Sequence, residues 1–444
     1  MIETEKIQPK VRDAIVQSLR AGVVPRVGQK HFQVGRAPEV KALLADVERI
    51  AGGGSAIRFI IGEYGSGKTF FLYLVRAIAL EKKLVAAHAD LTPDRRIHST
   101  GGHGQALYRE LMRNLSTRIK PDGEALPSVV ERFVNSALDE ARKNGTAPTV
   151  VIHHRLNALS EMVGGYDFAE VISAFWKGHD TGNEELKTNA IRWLRGEFST
   201  RTDARNALGV RTIIDDENIY DHLKLFARFV RLAGFSGFLV CLDELVNLYK
   251  MANTRARNSN YEQILRILND CLQGSAEGLG FLLGGTPEFL MDTRRGLYSY
   301  QALQSRLAEN TFAKEGLVDF TGPVIRLSNL TPEDIYVLLG KLRHVCAGGD
   351  PLKYLVPDES LKAFLTHCSK RIGDAYFRTP RNTIRSFIDL LAVLEQNPQA
   401  SWTDLIGGVS IALETNPDLA PLEFDPSLNE GDTSADDELA SFKL

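Results

Sequence analysis

The chain has 444 residues, enough for two or three domains of ordinary size, and its 43% hydrophobic and 25% charged residues indicate a packed globular protein. The formal net charge of −3 excludes a surface that attracts nucleic acid everywhere, so any DNA contact would need a local basic patch. No apolar stretch reaches the roughly 18 residues of a membrane span, and the N-terminus lacks the apolar core of a signal peptide. We therefore expect a cytoplasmic protein without membrane contact.

The first 80 residues predict two helices, a strand, a glycine-rich loop and a further helix. Apolar residues at helical spacing predict a helix within 8–22 and a second one over about 38–50. The β-branched run at 57–62 predicts a buried strand. This strand continues directly into GEYGSGKT at 62–69, and a strongly helical sequence follows. A glycine-rich loop between a strand and a helix is the context that a phosphate-binding P-loop requires, so we predict that ATP binds here.

The residues of this loop suit the chemistry of phosphate binding. The glycines let the backbone curl around phosphate groups, and the helix that starts near Lys68 adds the positive end of its dipole. We expect Lys68 to reach the β- and γ-phosphates and the Thr69 hydroxyl to bind Mg²⁺. The predicted nucleotide-binding segment comprises Gly62, Tyr64, Gly65, Ser66, Gly67, Lys68, Thr69 and Phe70.

A P-loop requires an acidic partner on a neighbouring strand, and FSGFLVCLDEL at 235–245 supplies one. The hydrophobic run predicts a buried strand, and Asp243 at its end is placed to hold Mg²⁺. Glu244 is then placed to orient or deprotonate the attacking water. The next predicted strand, 278–285, leads to Thr286, which either acts as a hydroxyl sensor of the γ-phosphate or lies in an ordinary turn.

The sequence between the two motifs predicts one more strand and many helices. The strand is predicted over 84–91, and from about 121 to 220 the patterns are helical, apart from the strand-like TVVIH at 149–153. Lys68 and Asp243 are therefore separated by 175 residues (243 minus 68), most of them in a helical insertion.

The last part of the chain predicts a strand, three helices and a tail. The strand is expected within 321–330, and the helices at about 332–346, 358–369 and 380–395. From about residue 414 the sequence is acidic and aperiodic, which predicts disorder. Its apolar residues allow an alternative, a short docking peptide for a partner protein. Those residues are Leu439, Phe442 and Leu444.

Together these motifs resemble the AAA+ ATPases, particularly the origin-recognition-complex clade. FQVGR at 32–36 resembles the segment that opens the adenine pocket of that clade. The resemblance implies nucleotide contacts for Val34, Gly35 and Arg36. It also implies an α/β fold, in which a P-loop AAA+ core with a central parallel sheet carries a large helical insertion and a C-terminal helical lid.

Two further segments resemble arginine-bearing motifs of the same clade. SYQALQSRLAEN resembles the segment that carries an arginine finger for the neighbouring subunit, which implies that role for Arg306. Arg294 and Arg295 are the alternatives. YFRTPRNTIRSF resembles the sensor-2 segment of the lid, which implies that Arg381 contacts the nucleotide. A site completed in this way implies a homo-oligomer.

The combination of GEYGSGKTFFL, LVCLDELVNL and FLLGGTPEFL most closely resembles the ATP-binding protein family of BREX-type bacterial phage-defence systems. This likeness implies an ATPase that acts with the protein partners of a defence or DNA-processing complex. The implied division is an N-terminal helical segment at 1–31, a core in two parts at 32–120 and 221–325, an insertion at 121–220, a lid at 326–410 and a tail at 411–444.

Two basic segments leave a direct DNA contact open. Each could follow a phosphate backbone, contact another protein or form ordinary surface. The insertion contains Arg192, Arg195, Arg201, Arg205 and Arg211, and a predicted polar loop after Asp243 contains Arg255 and Arg257.

The leading functional hypothesis is Mg²⁺-dependent ATP hydrolysis that drives or switches a phage-defence or DNA-processing complex. The alternative is an ATP-dependent loader or signalling switch with little turnover, which recruits a helicase, a nuclease or another partner.

Overall fold

The structure is a computed structural model that describes residues 6–312 and 319–408. The predicted docking residues of the acidic tail lie outside these ranges. Within the described residues, five strands form one sheet in the order β2-β3-β4-β1-β5. The strands are β1 (Ala56–Ile61), β2 (Val85–Asp90), β3 (Phe238–Asp243), β4 (Leu279–Gly285) and β5 (Val324–Arg326).

Every pair of neighbouring strands in this sheet is parallel. The predicted α/β fold with a central parallel sheet is therefore confirmed. Strand β4 lies between β1, which leads into the P-loop, and β3, which carries Asp243. Because parallel strands all end at the same edge of a sheet, the segments after β1, β2, β3 and β4 meet at the carboxyl edge.

The strands are apolar because helices cover both faces of the sheet. All residues of β1 and of β3 are buried. On β1, Ile57 and Phe59 belong to the large hydrophobic cluster on one face, whereas Ile60 packs with helices on the other face. A parallel sheet buried on both faces requires this nearly continuous hydrophobic sequence, which is the pattern that predicted β1 and β3.

The helices of the described residues pack around the sheet and continue beyond it. They are α1 (Pro9–Arg20), α2 (Ala37–Ala51), α3 (Lys68–Glu81), α4 (His103–Arg113), α5 (Leu126–Asn144), α6 (Pro148–Leu156), α7 (Gly165–Thr181), α8 (Glu184–Leu194), α9 (Arg201–Leu208), α10 (Ile219–Leu232), α11 (Val246–Tyr249), α12 (Thr254–Gln273), α13 (Pro287–Met291), α14 (Gln301–Leu307), α15 (Pro332–Cys346), α16 (Asp358–Ile372), α17 (Ala375–Arg378), α18 (Arg381–Gln396) and α19 (Trp402–Gly408). None of them has the length and apolarity that a membrane crossing requires.

Helices α5 to α9 lie in sequence between β2 and β3, and their buried residues join the main hydrophobic cluster. One prediction in this region is wrong, because TVVIH at 149–153 lies in α6 and not in a strand. The residues are β-branched, yet Ile152 and Leu156 are four residues apart and both are buried, which is the spacing of one helical face. Pro148 at the start of α6 also suits a first helical turn.

The N-terminal helix α1 packs with the C-terminal helices rather than with the sheet. Ile15 of α1 shares a hydrophobic cluster with residues of α15, α16 and α18. Two ion pairs fasten α1 to α18: Arg12 lies 2.9 Å from Glu395, and Arg20 lies 2.9 Å from Asp389. The proposed boundary at residue 31 stays a prediction, but α1 belongs to the same helical layer as the C-terminal helices.

A buried ion pair fastens β1 to α2. Arg58 Nε lies 2.5 Å from one oxygen of Asp46, and Arg58 Nη2 lies 3.0 Å from the other. The two residues are 5% and 3% exposed. Removing one partner of a buried pair leaves the other charge without compensation, which costs more than the intact pair contributes.

We expect Asp46→Ala to lower the free energy of unfolding by about 3–5 kcal/mol, because the buried Arg58 guanidinium loses its bidentate partner. Urea unfolding followed by circular dichroism measures this loss. The matched control is Arg49→Ala, since Arg49 also lies 3.4 Å from Asp46 but its side chain is 58% exposed. This control substitution should lower the free energy of unfolding by less than about 1 kcal/mol. Equal losses in the two variants would contradict the role of the buried pair.

Candidate nucleotide-binding site

The P-loop joins the end of β1 to the start of α3. Gly65 and Gly67 have φ angles of +77° and +85°, which side chains rarely permit. A Cβ on Gly62 would lie 2.4 Å from Ser66 Oγ, so this position also requires glycine. The glycines at 62, 65 and 67 therefore permit this backbone path, which ends at the positive N-terminal end of α3, and their contact with phosphate stays a prediction.

Lys68 is the first residue of α3, and its side chain turns back over the loop. Its ammonium group donates to the carbonyl oxygens of Gly62 and Glu63, at 3.0 Å each. The ammonium group thus lies at the mouth of the loop, where a phosphate group would offer it a charged acceptor. A charged acceptor is stronger than a peptide carbonyl, so Lys68 is placed to exchange these bonds for phosphate contacts.

Thr69 and Asp243 come together although 174 residues separate them. Thr69 Oγ1 donates to Asp243 Oδ2 at 2.6 Å. Asp243 is the last residue of β3 and is 6% exposed. A hydroxyl and a carboxylate are oxygen ligands of the kind that Mg²⁺ prefers, so this pair fits a Mg²⁺ ion bound together with phosphate oxygens.

A second carboxylate flanks Asp243. Asp90 ends β2 and lies directly opposite Asp243 in the parallel register. Desolvation and the negative charge of Asp243 raise the pKa of Asp90 above its ordinary value. Two neighbouring carboxylates favour a bound cation, because a divalent ion relieves the repulsion between them.

Gly284 is a site residue that the sequence analysis missed. A Cβ there would lie 2.3 Å from Asp243 Oδ1 and 3.0 Å from Leu72 Cδ1. The absent side chain therefore gives the Asp243 carboxylate its space. A glycine in a strand is the signal that could have identified it, because such glycines often mark close approaches.

Glu244 follows Asp243 in a backbone conformation that is unusual for a residue with a side chain. Its φ angle is +58°, and its N–H donates to Asp243 Oδ1 at 2.9 Å. The residue is exposed at the carboxyl edge of the sheet. Left-handed conformations of non-glycine residues cost free energy and concentrate at functional sites, which makes Glu244 a candidate for chemistry beside Asp243.

Thr286 serves as a helix cap in this structure. It precedes α13, it is 3% exposed, and its Oγ1 accepts a hydrogen bond from Phe289 N at 3.4 Å. The hydroxyl thus has a local structural partner, as in the turn alternative. Its sensor role stays a prediction.

The FQVGR segment lies against the P-loop and the first C-terminal helix. Arg36 has a φ angle of +61°, and its Nη2 donates to the carbonyl oxygens of Ser66 and, at 3.2 Å, Ser328. A Cβ on Gly35 would lie 3.3 Å from an Asp334 oxygen. The Arg36 side chain therefore holds the P-loop through the backbone carbonyl oxygen of Ser66.

Apolar residues of the same region pack beside α3. The centroids of the Phe70 and Phe32 rings lie 5.1 Å apart. Val34 and Phe70 are half-buried and pack against the hydrophobic cluster of the C-terminal helices. An apolar surface next to a phosphate loop suits an adenine base, and the predicted contacts of Val34, Gly35 and Phe70 with nucleotide stay a prediction.

The C-terminal helices reach the P-loop through Arg381 and Thr379. Arg381 Nη1 donates to the Tyr64 hydroxyl at 2.9 Å, and the guanidinium carbon lies 5.5 Å from the centre of the Tyr64 ring. Thr379 approaches so closely that a Cβ on Gly65 would lie 3.0 Å from its methyl carbon. The segment that resembles sensor 2 is therefore in contact with the loop.

The three candidate trans-acting arginines lie on the surface. Arg306 is in the last turn of α14, is exposed and donates to Ala302 O at 2.9 Å. Arg295 donates to the carbonyl oxygens of Lys250 and Met251, at 3.3 and 3.1 Å. Arg294 is also exposed. Arg295 is thus bonded to a distant segment of its own chain, whereas Arg306 bonds within its own helix and keeps a surface position that suits a contact with a neighbour.

The prediction of a polar loop around Arg255 and Arg257 is wrong. Both residues lie in α12, which begins at Thr254 after the capping residue Asn253. Arg257 is 5% exposed and donates to Met251 O at 2.8 Å, so it is a structural residue rather than a surface contact. Polar residues at the start of α12 hid this helix turn from the pattern analysis, because its apolar periodicity begins later.

The arginines of the insertion are partly engaged by their own surroundings. Arg192 lies over the Phe198 ring at 4.9 Å and 3.9 Å from Glu197. Arg201 lies 3.7 Å from Asp215. These contacts reduce the positive potential that the sequence suggested, and DNA contact by the insertion stays a prediction.

A parallel sheet with a glycine-rich loop before α3, and with Thr69 bonded to Asp243 from a second strand, defines a P-loop nucleotide-binding protein. The family model for the BREX system ATP-binding protein BrxC/D matches residues 7–410. The chain belongs to this family. A search of the curated proteins gave no significant match.

We expect Gly284→Ala to reduce Mg²⁺-dependent nucleotide affinity about 10- to 100-fold, because the new methyl group displaces the Asp243 carboxylate. Titration of a fluorescent ATP analogue with and without Mg²⁺ measures the effect. The control is Gly340→Ala in α15, where the nearest atom to a new Cβ is 3.8 Å away. Equal Mg²⁺ dependence in both variants would contradict the role of Gly284.

Proposed function

We propose that this chain binds ATP with Mg²⁺ and hydrolyses it, and that hydrolysis drives or switches a BREX phage-defence complex. One observation carries this proposal. The hydrogen bond between Thr69 and Asp243 brings a P-loop hydroxyl to a buried carboxylate of a second strand. A structural helix start has no need of that pairing, whereas a Mg²⁺ ion bound with ATP would need oxygen ligands from both residues.

Each residue has a separate task in the proposed reaction. Lys68 and the amides at the start of α3 stabilise negative charge on the β- and γ-phosphates. Thr69 and Asp243 would hold Mg²⁺, which would neutralise charge on phosphate oxygens. Glu244 accepts a proton from the attacking water or orients it. Arg381 adds a positive charge from the helical layer beside the loop.

The proposal extends to a homo-oligomer with protein partners. Arg306 is exposed at the end of α14, so a neighbouring chain could receive its guanidinium. An arginine supplied from outside stabilises transition-state charge and makes hydrolysis depend on assembly. Membership of the BREX family supports protein partners within the same system.

We expect Glu244→Gln to lower ATP turnover about 10²- to 10⁴-fold while ATP affinity stays within a few-fold, because the amide cannot accept the proton. Steady-state phosphate release and equilibrium binding measure the two quantities. The matched control is Glu161→Gln, which makes the same substitution at an exposed residue of the insertion. Unchanged turnover would remove Glu244 from the mechanism.

The same assay separates the two proposed activities. An unmodified chain that binds ATP but releases no phosphate, with or without DNA and partner proteins, would favour a loader or switch with little turnover. Measurable release that disappears in Glu244→Gln would favour hydrolysis as the working step.

We expect Arg306→Ala to abolish turnover alone and to regain part of it when mixed with Lys68→Ala. In a random equal mixture, about a quarter of the sites combine an intact Lys68 with an intact Arg306 from the neighbour, so about a quarter of the turnover returns. Phosphate release across mixing ratios measures this, with Arg294→Ala and Arg295→Ala tested in parallel. Absence of rescue would exclude Arg306 as a trans-acting residue.

A further inference from the structure

The side chain of Tyr64 joins the P-loop to the C-terminal helices. Tyr64 lies in the middle of the loop, and its hydroxyl accepts the hydrogen bond from Arg381 at 2.9 Å. The guanidinium also lies 5.5 Å from the ring centre, within the range of a cation–π contact. The phenol thus holds Arg381 in two ways, through its oxygen and through its ring. A P-loop needs neither contact to bind phosphate through its backbone.

The position of Tyr64 places this contact close to the ammonium group of Lys68, which is expected to bind the terminal phosphate. Lys68, the residue expected to reach the β- and γ-phosphates, directs its ammonium group to the carbonyl oxygens of Gly62 and Glu63. Glu63 is the residue directly before Tyr64. The ammonium group and the Arg381 guanidinium therefore approach adjacent parts of the same loop. A γ-phosphate at this end of the loop would lie near both cations, whereas the diphosphate of ADP would have no group there.

Arg381 reaches the loop from a fixed base. It is the first residue of α18, and Thr379, two residues before it, packs against Gly65. Farther along, α18 is paired to α1 through Asp389 and Arg20. The backbone of Arg381 is therefore held by packing, but its long side chain retains several rotatable bonds. The contact with Tyr64 restricts that remaining freedom, which reduces the entropy that phosphate binding would otherwise cost.

We propose that Tyr64 is a positioning residue that holds Arg381 ready for the γ-phosphate and thereby favours ATP over ADP. This inference rests on the proposed function, in which Arg381 contacts bound ATP. Arginine has five N–H donors, so it can keep the Tyr64 bond and still donate to a phosphate oxygen. The uncharged phenol does not compete strongly with phosphate, because hydrogen bonds between charged groups are the stronger ones.

The experiment compares equilibrium binding of ADP and of an imido-bridged, non-hydrolysable ATP analogue, both with Mg²⁺, to the full chain. Tyr64→Phe keeps the ring but removes the hydroxyl acceptor. It should weaken binding of the ATP analogue about three- to ten-fold and leave ADP affinity within about two-fold, because only the γ-phosphate depends on Arg381. The matched control is Tyr166→Phe, at an exposed tyrosine of the insertion, and it should change neither affinity. Melting temperatures verify that all variants fold.

Two further variants complete a double-mutant cycle. Arg381→Ala should weaken binding of the ATP analogue more than Tyr64→Phe does, and Tyr64→Phe should add nothing in the Arg381→Ala background. A loss that is equal for ADP and the ATP analogue, or that persists without Arg381, would overturn the positioning role. If Arg381→Ala leaves the preference for the ATP analogue unchanged, the proposed role of Arg381 itself fails. If Arg381→Ala weakens binding of the ATP analogue but Tyr64→Phe does not, the role of Tyr64 alone is overturned.

Discussion

The parallel register of the central sheet is the constraint on which the site depends. Strands that run in one direction deliver their ends to one edge, so the helical insertion can separate Lys68 from Asp243 in sequence without separating them in space. The pairing of Thr69 with Asp243 is the visible result. The same register also sets Asp90 beside Asp243, so that negative charge concentrates at this edge. The fold itself therefore brings this negative charge next to the P-loop and the positive end of α3.

Local patterns predicted the elements that carry strong local signals, whereas long-range contacts limited the rest. The strand before the loop, the loop and α3 follow each other directly, and their pattern predicted all three. The order of the strands was not predictable, because parallel neighbours are distant in sequence. TVVIH was misread because β-branched residues suit strands and also fit a helical face when the spacing matches. The segment with Arg255 and Arg257 was misread as a loop because its residues are polar and Asn253, the cap of α12, is common in loops.

The candidate site shows the same difference between local motifs, which were predictable, and long-range contacts, which were not. The sequence predicted phosphate- and Mg²⁺-binding roles for residues of short motifs with a defined chemistry, and these roles stay predictions. It did not predict the space that Gly284 leaves for Asp243, or the contact of Tyr64 with Arg381, because each joins segments from different parts of the chain. Thr286 is ambiguous in sequence, and its hydrogen bond to Phe289 N supports the local interpretation. Motifs thus identify reactive groups, and packing decides how those groups are oriented.

The attachment of α1 to α18 has a consequence for synthesis on the ribosome. Arg20 and Asp389 are 369 residues apart, so the first helix is made long before its partner exists. At ordinary rates of translation, the apolar face around Ile15 waits roughly 20 to 70 seconds for α18. During this interval the sheet and the insertion can form, but the helical layer beside the P-loop cannot. The nascent chain therefore presents an unsatisfied amphipathic helix that a chaperone or a BREX partner could occupy first, and the helical layer beside the P-loop can assemble only after α18 has been translated.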